Sequence, residues 1–189
     1  MIEIKNISKS FDNKIILQNI SFCIEKNKPV FIMGKSGIGK TTLINIILGI
    51  EKADKGEITG VENLKNAVLF QEDRLCENIS PVKNITIACP NISRKAAEEA
   101  LIKIGFSIND LSKSVKKLSG GMKRRTALAR AILYNGDFII MDEPFKGLDA
   151  ETKSLCTNFI KENLQNKYVL IITHNKEDFE KIGGKLIKF

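Results

Sequence analysis

Three short stretches of this sequence hold residue types whose spacing points to phosphate chemistry. The first is Gly34-Lys35-Ser36-Gly37-Ile38-Gly39-Lys40-Thr41, set between an apolar run and a segment with helical spacing. Glycines at this density let the backbone curl until its N–H groups converge on phosphate oxygens, an approach that side chains would block. The helix that follows adds the positive end of its dipole. In such a loop Lys40 reaches the terminal phosphates and Thr41 offers a hydroxyl to Mg²⁺, with Thr42 beside it as a further nucleotide-binding position. The expected ligand is a nucleoside triphosphate.

The second stretch is Phe138-Ile139-Ile140-Met141-Asp142-Glu143-Pro144, four apolar residues and then two carboxylates. A buried strand that ends in Asp142 delivers a carboxylate next to the phosphate loop, where it holds Mg²⁺ directly or through water. Glu143, one residue on, points elsewhere and can polarise the water that attacks the terminal phosphate; positioned general bases contribute about 10²–10⁴ in rate. Alone, the stretch also suits a turn after a core strand. Behind a phosphate loop, the hydrolytic reading prevails.

The third stretch, Leu118-Ser119-Gly120-Gly121-Met122, lies twenty-one residues before Asp142 at its last glycine. By itself it reads as a serine cap with a flexible entry to a helix over residues 122–133. Glycines at a helix N-terminus also form an anion cradle. With Gln71 after a strand, Gly147-Leu148-Asp149 behind the acidic pair, and the single His174 after another strand, the order of features resembles the ATP-binding-cassette family along nearly the whole chain.

That resemblance implies a role for each matching position. Gln71 senses the terminal phosphate and Mg²⁺ and touches a membrane partner. Ser119 and Gly121, with Gly120 between them, close over the ATP held by the other subunit of a dimer. Asp149 communicates across that dimer. His174 holds the terminal phosphate and orients Glu143, and Phe11 falls where the family sets an aromatic ring against adenine. Both half-sites stand in one chain, so a homodimer suffices. Phe70-Gln71-Glu72-Asp73-Arg74-Leu75, Leu118 to Met122, and Asp142-Glu143-Pro144-Phe145 are similar to the nitrate, sulfonate, taurine and thiamine-precursor importer ATPases. Three positions depart from that branch: Arg124 stands where Gln is usual, Lys146-Gly147 replaces Gly-Ala, and Asn175 follows His174 where Asp is common. The implied partners are an integral-membrane permease and an extracytoplasmic substrate-binding protein. The alternatives are the ATPase of an exporter, a lipid-extraction or cell-division system, or a nucleic-acid-associated ATPase. A small phosphate-loop kinase leaves Leu118 to Gly121 unexplained.

The elements that must position these residues are also legible. Residues 2–7 and 15–24 are rich in β-branched residues around Asp12-Asn13, which predicts an antiparallel strand pair. Val30 to Met33, residues 67–70, 138–141 and 169–172 are short apolar runs of the kind buried parallel strands show. Residues 41–48 have helical spacing and close on Gly49. Residues 72–117 turn helical in character, with Ser80-Pro81 and Ser93 as helix starts and Gly105 as a stop. These predict one α/β domain over residues 1–189. The family resemblance adds that it is a P-loop NTPase core with a mostly parallel sheet, an N-terminal antiparallel β subdomain, and a helical subdomain inserted at about 72–117.

Composition bounds the rest. A chain of 189 residues that is 43% hydrophobic can bury a sizeable core, built from aliphatic residues because aromatics make up only 6%. The net charge of +8 and a pI of about 9.3 allow a phosphate-bearing partner, although only Lys113, Lys116, Lys117, Lys123, Arg124 and Arg125 cluster. Nucleic acid is the less expected partner. Cys23, Cys76, Cys89 and Cys156 form no zinc-binding pattern and read as reduced, packed thiols. No apolar run reaches the roughly 18–20 residues of a membrane span, and the start lacks a secretory signal. The expectation is a cytoplasmic protein, peripheral on the inner face of the cell membrane.

Overall fold

Asp12 and Asn13 both hold positive φ, 47° and 62°, as the two-residue turn of a right-twisted hairpin requires. They join β1 (Ile2–Phe11) to β2 (Lys14–Ile24), which pair antiparallel as the sequence predicts. In this computed structural model, which describes residues 1–35 and 37–189, a third strand β4 (Lys55–Thr59) completes that sheet on the far side of β1. Its sequence KGEIT has one half-buried apolar side chain and gives no strand signal of its own.

The second sheet has five strands in the order β5 (Asn66–Leu69), β6 (Phe138–Asp142), β7 (Tyr168–Ile172), β3 (Val30–Met33), β8 (Lys185–Lys188), and every pair is parallel. Its strands are covered on both faces, which is why β6 is buried at all five positions. Alternation along the strands divides the core in two. Phe31, Ile139, Met141 and Ile171 face the layer of α2 (Pro81–Ala88), α3 (Arg94–Lys103), α4 (Gly120–Leu133) and α5 (Ala150–Glu162). Ile32, Phe138, Ile140 and Ile172 face α1 (Lys40–Ile47) and the antiparallel sheet. A short α6 (Lys176–Ile182) leads into β8.

The expected caps are in place: Ser80 accepts from the Lys83 N–H with Pro81 at the first helical position, and Ser93 accepts from the Ala96 N–H. Gly49 and Gly105 follow their helices at positive φ, where an L side chain would be strained. Within residues 72–117 the α-helices begin only at Pro81. Residues 72–80 are irregular, and after α3 the segment makes only two 3₁₀ turns, Ile108–Asp110 and Val115–Lys117. The basic cluster is also broken up. Arg124 is buried, and Arg125 donates to the Ile104 carbonyl at 2.6 Å with its guanidinium over the Phe106 ring. Among the described residues no helix is long and apolar enough to cross a membrane, and the four cysteines are unpaired.

A nucleotide cleft and a separate helix tip

Four segments leave the parallel sheet at the C-terminal ends of their strands, the edge at which open α/β sheets bind ligands. The glycine loop follows β3, Gln71 follows β5, Asp142 and Glu143 end β6, and His174 follows β7. They surround one cleft of about 480 Å³, whose walls also include Phe11, Ile16 and Lys146.

The loop side is built around glycine. Gly37 and Gly39 stand at φ 80° and 100°, and a Cβ on Gly39 would meet Ile16 and Leu17 within 3 Å, including the Ile16 carbonyl oxygen at 2.9 Å. Gly34, Lys35, Gly37, Gly39, Lys40, Thr41 and Thr42 line the cleft, whereas Ile38 does not. Ile38 is instead half-buried, and its side chain lies 3.1 Å from where a Cβ on Gly34 would stand. Ser36, the remaining position of the motif, lies outside the described residues. The Lys40 ammonium donates to the carbonyls of Gly34 and Lys35, both at 2.8 Å, and so draws the two ends of the loop together. Gly39 offers no side-chain cap to α1, so the first N–H groups of that helix stay free for an anion.

The carboxylate side has two characters. Asp142 is buried, and that burial, reinforced by the neighbouring Glu143 charge, raises its pKa above the usual carboxylate range. A carboxylate in that state favours a nearby cation. Glu143 sits at φ 52°, its N–H donating to the Ile172 carbonyl at 2.8 Å. One of its oxygens, Oε1, lies 2.9 Å from His174 Nδ1, so the two side chains that the family resemblance paired are in hydrogen-bond contact. Glu143 is largely covered while His174 is largely exposed, with side chains 15% and 74% accessible.

Phe11 stands at the end of β1, 43% exposed, with the Lys9 ammonium 4.9 Å from its ring centroid. Lys9 is anchored by Glu51 and Asp54 at 2.8 and 3.3 Å, so the hairpin end is tied down next to the glycine loop.

Ser119, Gly120, Gly121 and Asp149 do not line this cleft. Ser119 caps α4, accepting from the Met122 N–H at 3.3 Å, and Ser119 and Gly120 are exposed. A Cβ on Gly120 would meet nothing within 4 Å, and one on Gly121 would meet only Gly147 and Leu148 at ordinary contact distance. Asp149 caps α5, accepting from the backbone N–H and hydroxyl of Thr152 at 2.9 and 2.8 Å. The N–H bond first, and the hydroxyl second, hold its pKa below the usual value.

Sequence reasoning gave two other residues no part in the site, noting both as departures and Arg124 also as one of a basic cluster. Lys146 lines the cleft beside Asp142 and lowers the pKa of that carboxylate against the upward push of burial. Arg124 lies behind the cleft, bonded to the backbone that carries Asp142 and Glu143. Their signal was the unusual residue type itself.

A family model described as ABC transporter matches residues 17–146. The phosphonates import ATP-binding protein of Fusobacterium nucleatum is 32% identical over 217 residues, covering 99% of this chain and 87% of that protein. An aliphatic sulfonates import ATP-binding protein of Streptomyces avermitilis is 31% identical, with 98% and 72% covered. The ergothioneine transport ATP-binding protein of Helicobacter pylori is 28% identical, with 100% and 96% covered. Among solved structures, the dimeric structure of MJ0796, a bacterial ABC transporter cassette, matches with a TM-score of 0.86 at 27% identity, covering 100% of this chain and 94% of that one. A post-hydrolysis state of the same cassette bound to ADP and Pi matches at 0.84 and 26% identity, again with 100% and 94% covered. Fold, cleft and kinship agree, and this chain belongs to the ABC transporter family as an ATP-binding, ATP-hydrolysing cassette.

Proposed function

We propose that this cassette energises solute import through a separate membrane permease, working as a homodimer with two ATP molecules at its interface. The observation that carries the mechanism is the convergence of Lys40, Asp142, Gln71 and the Glu143–His174 pair on one cleft. Importer function is supported by the printed names of the phosphonate and sulfonate relatives. The same names support a membrane permease as partner. An extracytoplasmic binding protein delivers the solute, and the cassette is peripheral on the inner face of the cell membrane.

In this reading the loop N–H groups and Lys40 bind the phosphates, with the Phe11 ring against the base. Thr41, Asp142 and Gln71 offer hydroxyl, carboxylate and amide oxygens at the same end of the cleft, a hard-donor set suited to magnesium. Held by these three residues, Mg²⁺ would supply positive charge against the terminal phosphates. Glu143 accepts a proton from the attacking water while His174 fixes the carboxylate through Nδ1 and turns its other ring nitrogen to the terminal phosphate. Ser119, Gly120 and Gly121 cover the nucleotide of the partner subunit, and Asp149 sits at that interface. The bridging charge of ATP holds the dimer together, and its hydrolysis releases it.

The test is the Glu143→Gln protein. Bound ATP should be retained, turnover should fall about 10²–10⁴-fold, and light scattering should show an ATP-dependent dimer. Undiminished turnover would remove Glu143 as the base, and a chain that stays monomeric with ATP would remove the sandwich.

A further inference from the structure

Arg124 has a buried guanidinium, with 4% of its side chain accessible, and it binds two segments at once. From α4 it donates to the Phe70 carbonyl at 2.7 Å, the Gln71 carbonyl at 3.4 Å and the Asp73 carboxylate at 3.0 Å. Its Nη2 also donates to the carbonyl of Asp142 and, at 2.9 Å, to that of Glu143. A planar fork with five N–H donors can serve this many acceptors, and a glutamine amide with two cannot.

Backbone conformation points to the same places. Ten described residues other than glycine have positive φ, and eight of them are Asn or Asp, which tolerate it. The other two are Arg74 and Glu143. The carbonyls of both are held by arginines of α4: Arg124 takes that of Glu143, and Arg130 takes that of Arg74 at 2.8 Å together with that of Asp73 at 2.8 Å. One helix therefore fixes the turn that aims the base and the segment that carries Gln71. The same helix starts at Ser119, five residues or about 7.5 Å of rise from Arg124.

We propose that Arg124 is a positioning residue that couples the Ser119 tip of α4 to Glu143 and Gln71 of its own chain, so that closure over the partner's nucleotide sets the base in this subunit's site. The inference rests on the dimer reading above and adds a route between its two sites. When the tip engages ATP, α4 shifts as a unit, and Arg124 carries both the base and the Gln71 segment with it. Without the guanidinium, the tip still engages, but the base is no longer aimed by that event.

The test is a double-mutant cycle on turnover with Ser119→Ala and Arg124→Gln, alongside ATP affinity measured without Mg²⁺. Arg124→Gln should lower kcat about 10- to 100-fold, the size of a small misplacement of reacting groups. ATP affinity should stay within about twofold, since no phosphate contact is lost. The double variant should turn over no more slowly than the slower single variant, because either change breaks the same link. Effects that multiply, or an Arg124→Gln protein with wild-type kcat, would overturn the coupling. If Arg124→Gln fails to fold, Asp73→Asn keeps the guanidinium and its bonds to the Phe70 and Gln71 carbonyls, and weakens only its charged contact with that segment. It should lower kcat several-fold at unchanged affinity, and an unchanged kcat would count against the coupling. Where wild-type protein hydrolyses ATP and dimerises but the cycle is additive, only the coupling is lost. Where it does neither, the proposed function falls and takes this inference with it.

Discussion

At the glycine loop, polar groups already have partners inside the chain, whereas at the tip of α4 they do not extend beyond the cap. Lys40 is held by the Gly34 and Lys35 carbonyls, Glu143 meets His174, and Gly39 is wedged against β2. Ser119 and Gly120 face solvent, with open space where a Gly120 side chain would be. Both turns precede a helix and both are built of small residues. The difference teaches that the first turn is braced within its own chain, while the second is left open, as the proposed dimer requires.

The contrast can be broken at either end. The largest effect is expected from Lys40→Ala, which removes both the phosphate contact and the bond that gathers the loop. ATP binding should weaken severely and turnover fall at least about 100-fold, as equilibrium dialysis and phosphate release would report. Near-normal ATP binding by this variant would show that the cleft is not organised around Lys40.

Gly120→Asp probes the other region. The position is open, and an acidic residue in the first turn suits the helix dipole, so folding should be unharmed or slightly improved. In the proposed dimer the added charge faces the phosphates of a partner's ATP. Turnover should fall about tenfold or more, with ATP affinity of the monomer unchanged. Equal loss of affinity and turnover would erase the distinction between the two regions.

The smallest effect concerns stability. Asp142 is buried, and its raised pKa means the folded state disfavours the ionised form. Its cost is therefore full above the folded pKa and fades as pH falls through that value toward the ordinary carboxylate range. Asp142→Asn should stabilise the nucleotide-free protein by about 1 kcal/mol at neutral pH, with an advantage that shrinks in acid, while abolishing hydrolysis. Thermal melts across pH would check it. A destabilised Asn variant at neutral pH would mean that the carboxylate is matched by charge inside the chain.

The parts that sequence made legible are those where one local signal suffices. Apolar runs gave β3, β6 and β7 because strands buried on both faces cannot hold polar residues, and Ser80, Ser93 and Ser119 announced their helices through cap chemistry. Two of the four edge strands were harder, although β2 and β5 were expected. β4 and β8 are short and mostly exposed, so backbone pairing rather than side-chain pattern defines them. Residues 72–80 read as helical, but Arg124 and Arg130 draw the 70–74 part into an irregular path through its carbonyls. Arg124 itself looked like one member of a basic patch. Neighbours on a helix point about 100° apart, so Lys123 reaches Glu77 near the surface while Arg124 enters the core.

Glu143 occupies a backbone region where glycine rests easily and a side chain does not. Glycine at this position relaxes the turn and strips the cleft of its proton acceptor. Survival at high temperature and speed of the chemical step thus pull position 143 in opposite directions. In the proposed mechanism, glycine there would exchange turnover for an easier backbone.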